Sequence, residues 1–346
     1  MNFKKYRTAF TSIMKYFLFK TGFFSLIRFL YPNKNIAILR YHSIADNKKN
    51  FYCSPMISIS PKAFEKHIKY FSKRYNVISL DRVLHYMENN RPFPLNAIVF
   101  TFDDGYADNY AAAQILKKYG LTGTFYLTAG CIGNKKSLWL FDVIYLITNS
   151  KSRLINLEIK NEEITFDLDD ANKKNKAIQG ITTLIKSNDI ATREEILKQL
   201  KEKLEVSGLE EVSRDILLSW EQVKTMISQG MIIGAHTMTH CNLPNARIEE
   251  AIKEINECMV LLEEKLKINI RHFSYPNSGN YEYYNDQIIS LVKDAGFQSA
   301  TTSENGFVTL KSNPFTVNRV RTVEELHEIV YLLEGERLKN RSMKPT

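Results

Sequence analysis

Apolar positions change their spacing repeatedly along the chain, and each change marks a switch between strand and helix. Ile36-Ala37-Ile38-Leu39-Arg40-Tyr41-His42 is a short apolar run with a polar end, the pattern of a buried strand. Ser60-Pro61 then supplies an N-cap and a proline at the first helical position, and Phe64, His67, Ile68 and Phe71 follow at helical spacing. Residues 75–80 predict another strand, with Asp81 capping a helix that runs to Met87. Residues 96–102 predict a buried strand, 108–119 a helix ended by Gly120, and 122–127 a strand. Two later strand patterns, 231–235 and 272–274, run into His236 and Tyr275. Alternation of this kind predicts an α/β domain around a parallel sheet, with reactive residues at the carboxyl ends of the strands. His42, Asp103, Asp104, His236 and Tyr275 all stand at such ends.

The rhythm breaks at residues 131–215. There, 154–168 reads as two polar-alternating strands around Asn161-Glu162, and 192–206 as a charged helix. The segment predicts an α+β insertion on the barrel. The expected organisation is a basic N-terminal segment over 1–35, a barrel over 36–335 interrupted by the insertion, and a basic tail over 336–346.

Charge changes the picture at the N-terminus. The net charge is +9, but residues 1–40 hold eight lysines and arginines and no acid, the first carboxylate being Asp46. The remainder is close to neutral, so the basic balance argues against nucleic-acid binding by the body. The same segment holds ten of the forty aromatics, with Phe10, Ile13, Met14 and Phe17 at helical spacing, then Phe23, Phe24, Ile27 and Leu30 after Gly22. Lys15, Lys20 and Arg28 interrupt the apolar stretches, which fall short of the roughly 20 residues that span a bilayer. The pattern predicts amphipathic helices and peripheral membrane contact through residues 1–31, with packing on the chain's own body as the alternative. With no clear export signal in these letters, the expected location is the cytoplasmic side of a membrane, an exported form remaining open. Cys53, Cys131, Cys241 and Cys258 are widely spaced, contain no CxxC pair and read as free thiols.

The candidate chemistry begins where an apolar run meets two acids, in Thr101-Phe102-Asp103-Asp104-Gly105-Tyr106, and continues in His236-Thr237-Met238-Thr239-His240. Asp104, His236 and His240 offer a carboxylate and two imidazoles, three ligands that leave an open position on a divalent ion. The spacing of the histidines predicts two rings on one side of a helical turn. Neighbouring side chains at a strand end point apart, so Asp103 stays free as a general base toward water whose pKa the ion lowers. Taken alone, Asp-Asp-Gly is also good turn chemistry. The ligand set suits zinc, with cobalt, nickel or iron also compatible. Trp139 and Phe141 are candidates for stacking on a sugar or, more simply, for the core. Trp220, His67, His85 and His272 read as structural or surface residues.

These two segments, with Arg271-His272-Phe273-Ser274-Tyr275-Pro276, resemble the first three motifs of the polysaccharide deacetylase enzymes (NodB homology, carbohydrate esterase family 4). The resemblance covers roughly 36–130 and 216–330. It implies a distorted (β/α) barrel of the NodB type and metal-dependent removal of N-acetyl groups from amino sugars of a polysaccharide or lipid-linked glycan. It also implies that Asp103 is the base, that Asp104, His236 and His240 bind the metal, that Arg271 orients Asp103, and that the backbone N–H of Tyr275 helps to hold the oxyanion. The family's acid histidine normally lies in a Leu-x-His motif, whereas Leu326-His327 has no spacer. Here the chain is closer to the poly-N-acetylglucosamine deacetylase branch, whose acid histidine follows an early strand ending in Tyr-His. Tyr41-His42 matches, which favours His42 over His327. The fourth motif, ending in tryptophan, has no good match. Two rival readings remain: an amidase acting on a formamide of a lipid-linked sugar, and a catalytically silent carbohydrate-binding barrel.

Overall fold

The computed structural model describes residues 3–46, 52–133, 137–278 and 281–342. Ten strands are named here: β1 (Ala37–Tyr41), β2 (Asn76–Val77), β3 (Ala97–Phe102), β4 (Thr124–Leu127), β5 (Leu154–Ile159), β6 (Glu162–Asp167), β7 (Ile232–Ala235), β8 (His272–Ser274), β9 (Ser299–Thr301) and β10 (Val320–Arg321). Eight form one parallel sheet in the order β10-β1-β3-β4-β7-β8-β9, with β2 beside β3. The segment before β10 continues the sheet back to β9, where Val317 bridges Thr301. The result is a curled parallel α/β barrel, distorted where the irregular stretch 314–319 links β9 to β10.

β1, β3 and β4 are buried along their whole length, which is why their sequences are nearly continuous apolar runs. One face of each strand joins Ile36, Ile38, Val99, Tyr126, Val308 and Val317 in one apolar cluster. The other carries Leu39, Tyr41, Phe100 and Phe102 into the larger core, with Phe102 stacked on Phe125 at 4.4 Å. The strand predicted over 75–80 shrinks to two residues. Ser79, not Asp81, caps the following helix, Leu80–Glu88, accepting from the Arg82 N–H at 3.2 Å.

Between β4 and β7 the chain builds the β5–β6 hairpin and helices Trp139–Asn149, Ala171–Lys186 and Ile190–Leu204 around a separate apolar cluster containing Val143, Leu157, Ile181 and Leu200. At the N-terminus, helices Phe3–Lys20 and Phe23–Leu30 form a hairpin that turns at Gly22, whose φ of 80° suits glycine. The hairpin packs on the last helix, Leu326–Ser342. That helix runs well into the stretch expected to be a tail, so only 343–346 of it lie outside the described residues. No helix among the described residues is long and apolar enough to cross a membrane.

Candidate active site

Strand alternation turns Asp103 to the face shared by Val99 and Thr101, while Asp104 leaves the strand with φ 76°, followed by Gly105 at 84°. This left-handed step sends two adjacent carboxylates to different partners. Asp104 Oδ1 lies 3.4 Å from His236 Nε2 and 3.3 Å from His240 Nε2. Asp103 Oδ2 lies 3.7 Å from His42 Nε2, and both Asp103 oxygens accept from Arg319, at 2.7 and 2.8 Å.

The two histidines are not paired by a helical turn, as their spacing suggests. Residues 236–240 form an irregular loop with φ 64° at Thr237 and 55° at His240, and the ring centroids stand 5.0 Å apart. The loop is held from below by Glu254, which accepts from the Thr239 N–H at 2.8 Å and from its hydroxyl at 2.5 Å. From the insertion, Trp139 donates its indole N–H to the His240 carbonyl at 3.0 Å. Trp139 and Phe141 are buried and serve packing.

A metal fits this cluster. His236 Nδ1 lies 2.7 Å from the Ser274 carbonyl, which can only accept, so Nδ1 carries the proton and Nε2 turns its lone pair toward Asp104. Asp104 Oδ1 is buried and has no hydrogen-bond partner. Acceptors facing each other need a positive charge between them. Two ligand atoms on a tetrahedral zinc, with bonds of about 2.0–2.1 Å, stand roughly 3.3 Å apart, close to both separations here. All three ligand atoms lie within 4.8 Å of one another.

The electrostatics separate the roles further. Burial pushes the Asp103 carboxyl up, but Arg319, His236 and His42 outweigh it and hold it at about 2, so it is ionised at neutral pH. Burial also opposes ionisation of Asp104, and the His236 and His240 rings close beside it still hold it well below the carboxylate range. Burial lowers His42 to about 4 against the pull of both aspartates, with Arg40 and Arg319 adding to the drop. His42 is itself fixed by its backbone, since Asn109 Nδ2 donates to its carbonyl at 2.7 Å. Asp108 accepts from the Ser43 hydroxyl and the Ile44 N–H next to it.

Two expected placements fail. Arg271 does not reach Asp103. It precedes β8 at the strand's amino end, is 47% exposed in its side chain, and pairs with Asp81 at 2.9 Å, whereas Asp103 lies beyond the carboxyl end of β3. Its expected task falls to Arg319, which also donates to Ser274 Oγ at 3.1 Å and to the Thr302 carbonyl at 2.7 Å. The Tyr275 N–H is not free for an oxyanion either, because it donates to the Thr301 carbonyl at 3.1 Å as β8 and β9 continue their ladder. Its hydroxyl donates to the Phe315 carbonyl at 3.0 Å. His327 packs instead under the N-terminal hairpin, 3.2 Å from Ser12 Oγ and edge-on to Tyr16. His272 bonds Asp81 and Ser299, and the four cysteines are buried free thiols.

A parallel barrel with buried carboxylates and imidazoles at its carboxyl edge defines a hydrolase scaffold. Residues 90–300 match the family model described as polysaccharide deacetylase, and the chain belongs to that family, whose members hydrolyse the amide of N-acetyl groups. The chain is 20% identical over 288 residues to a putative polysaccharide deacetylase, YxkH, of Bacillus subtilis, covering 83% of this chain and 71% of that one. Its fold is similar to the Streptococcus pyogenes deacetylase PplD in complex with acetate, with TM-score 0.55, 18% identity, and 91% and 100% of the two chains covered. It is similar also to IcaB from Ammonifex degensii, with TM-score 0.55, 16% identity, and 87% and 98% covered.

Proposed function

We propose that the protein is a metal-dependent hydrolase that removes N-acetyl groups from the amino sugars of a polysaccharide or lipid-linked glycan. The observation that carries this reading is the unpartnered Asp104 Oδ1 facing two imidazole nitrogens, beside a second carboxylate bound to Arg319 instead. A divalent ion, zinc by the chemistry of the donors, would be held by Asp104, His236 and His240, would polarise the acetamide carbonyl and would lower the pKa of water. Asp103 is ionised and oriented by Arg319, so it is always ready to accept the proton that water releases on attack. The acid role goes to His42, and the 3.7 Å between its Nε2 and Asp103 supports a proton passing through it to the departing amine. The bond broken is the amide C–N, and the products are acetate and a free amino sugar. The assay is acetate release from chitooligosaccharide and from a lipid-linked N-acetylhexosamine with added Zn²⁺ or Co²⁺. Full turnover by Asp103→Asn would overturn the role of the base.

We also infer a resting place on the cytoplasmic face of an anionic membrane. The inner side of the hairpin is tied to the body through Lys15–Glu328 at 2.7 Å and the buried Arg28–Glu334 pair at 3.3 Å. Its outer side leaves Phe17 65%, Ile13 67%, Leu26 54% and Phe29 81% exposed. Large apolar side chains on a segment, residues 1–31, with six basic residues and no acid complement the interface of anionic lipid, which is richest on the cytoplasmic leaflet. Co-sedimentation with phosphatidylglycerol vesicles, abolished by the double change Phe17→Ser and Phe29→Ser, is the expected result. Self-association through this face without vesicle binding would contradict it.

A further inference from the structure

Above its apolar residues, β1 places an arginine on the lumen side of the barrel. Arg40 shares the strand face of Ile36 and Ile38, is 8% exposed, and its Nε has no hydrogen-bond partner. It makes no ion pair among the described residues. Asp103 acts on it through space but spends both oxygens on Arg319. In the parallel register, β10 sets Arg321 directly beside Arg40. Arg321 donates to the Met56 carbonyl at 2.8 Å and likewise has no carboxylate partner among the described residues. Burial opposes the charge on Arg40, Arg319 and Arg321 both repel it, and burying a guanidinium without an acceptor costs free energy unless something supplies the missing negative charge. Arg40 lies within electrostatic reach of His42 as well as Asp103, so that charge would sit next to the reacting centre.

We propose that Arg40 and Arg321 form an anion subsite at the rim between β1 and β10, recognising an oxyanion group, phosphate or carboxylate, carried by the amino-sugar substrate. The fork of a guanidinium presents paired N–H donors that match either group, and two forks on neighbouring strands match its several oxygens. This inference rests on the deacetylase reading for its substrate, but the subsite has its own readout.

The test compares kcat/KM of the full-length, metal-loaded protein on three N-acetylated sugars of equal length: one neutral, one bearing a phosphomonoester, one bearing a carboxylate. The expected result is a preference of about 10-fold or more for one anionic sugar, the magnitude of one or two charge-assisted hydrogen bonds. Which anionic sugar wins identifies the group. In Arg40→Met the ratio of anionic to neutral kcat/KM falls toward one, and in Arg321→Gln it falls part-way. Arg40→Lys, which keeps the charge but loses the fork, lies between wild type and Arg40→Met and guards against a folding defect in the latter. Equal rates on all three sugars, or a ratio unmoved in all three variants, would overturn the proposal. Independently, inorganic phosphate binding is measured calorimetrically in the Asp104→Ala background, where the metal cluster is disabled. Saturable binding lost on adding Arg40→Met supports the subsite even if no sugar is turned over, which would count against the deacetylase reading alone. No saturable binding there counts against the subsite alone.

Discussion

The mouth of the barrel and the seam beneath the N-terminal hairpin both bury charge, and they do so in opposite ways. At the seam, the Arg28 guanidinium donates to Tyr70, Tyr75, Ser25 and Glu334, and Tyr75 closes the circuit by donating to Glu334. At the mouth, Asp104 Oδ1, His240 Nδ1 and Arg40 Nε have no hydrogen-bond partner. The backbone there is bent as well, with positive φ at Asp104, Thr237, His240 and Asn277. Where Arg28 and Tyr75 spend their donors on one acid, two elements are held together; donors and acceptors that face one another unpaired on bent backbone are arranged for something that arrives.

If that contrast is right, the two regions fail differently when cut. Asp103→Asn is expected to lower acetate release by about 10²–10⁴-fold, the usual worth of a general base, while circular dichroism shows an intact fold. Arg28→Met should behave in reverse. Breaking a buried pair costs about 3–5 kcal/mol, read in urea unfolding, with acetate release per folded molecule within about two-fold of wild type.

A pH series sharpens the contrast from the structural side. Burial lowers His67 to about 4, and its ring is held between the Glu324 carbonyl at 3.0 Å and the Tyr41 hydroxyl at 3.4 Å. A histidine kept neutral by folding stabilises the protein above its ordinary value near 6.5, and that stability is lost as pH falls from there toward 4. Each unit of the shift is worth about 1.4 kcal/mol. His67→Gln should therefore flatten the stability profile in that window, and an unchanged slope would count against the burial argument. The smallest effect is expected at Arg271→Ala. An exposed pair with Asp81 is worth about 0–1 kcal/mol, and the deacetylation rate should stay within about three-fold. A large drop in rate there would return the orienting role to Arg271.

Much of the site was legible because its residues end strands. An apolar run that stops at Asp103-Asp104, and another at His236, announce the carboxyl edge of a parallel sheet without any coordinates. What could not be read was the partner of Asp103. Arg319 lies 216 residues away, in the irregular segment where the barrel closes, and no local motif surrounds it. The one available signal was an arginine on the inward-facing alternation of Val317 and Arg319. Arg271 misled because it adjoins a motif segment, yet a strand has two ends and it occupies the wrong one. The His-x3-His spacing misled for a related reason: helical periodicity presumes negative φ throughout, and Thr237 and His240 depart from it. The insertion's part in the site, through Trp139 and the His240 carbonyl, depends on packing between segments about a hundred residues apart.

The most direct test is a titration of metal-stripped protein with Zn²⁺, followed by calorimetry and thermal unfolding. The account predicts one ion per chain and a concentration-dependent rise in Tm, both lost in Asp104→Ala. Equal zinc affinity in wild type and Asp104→Ala, or no stoichiometric ion in either, would contradict it.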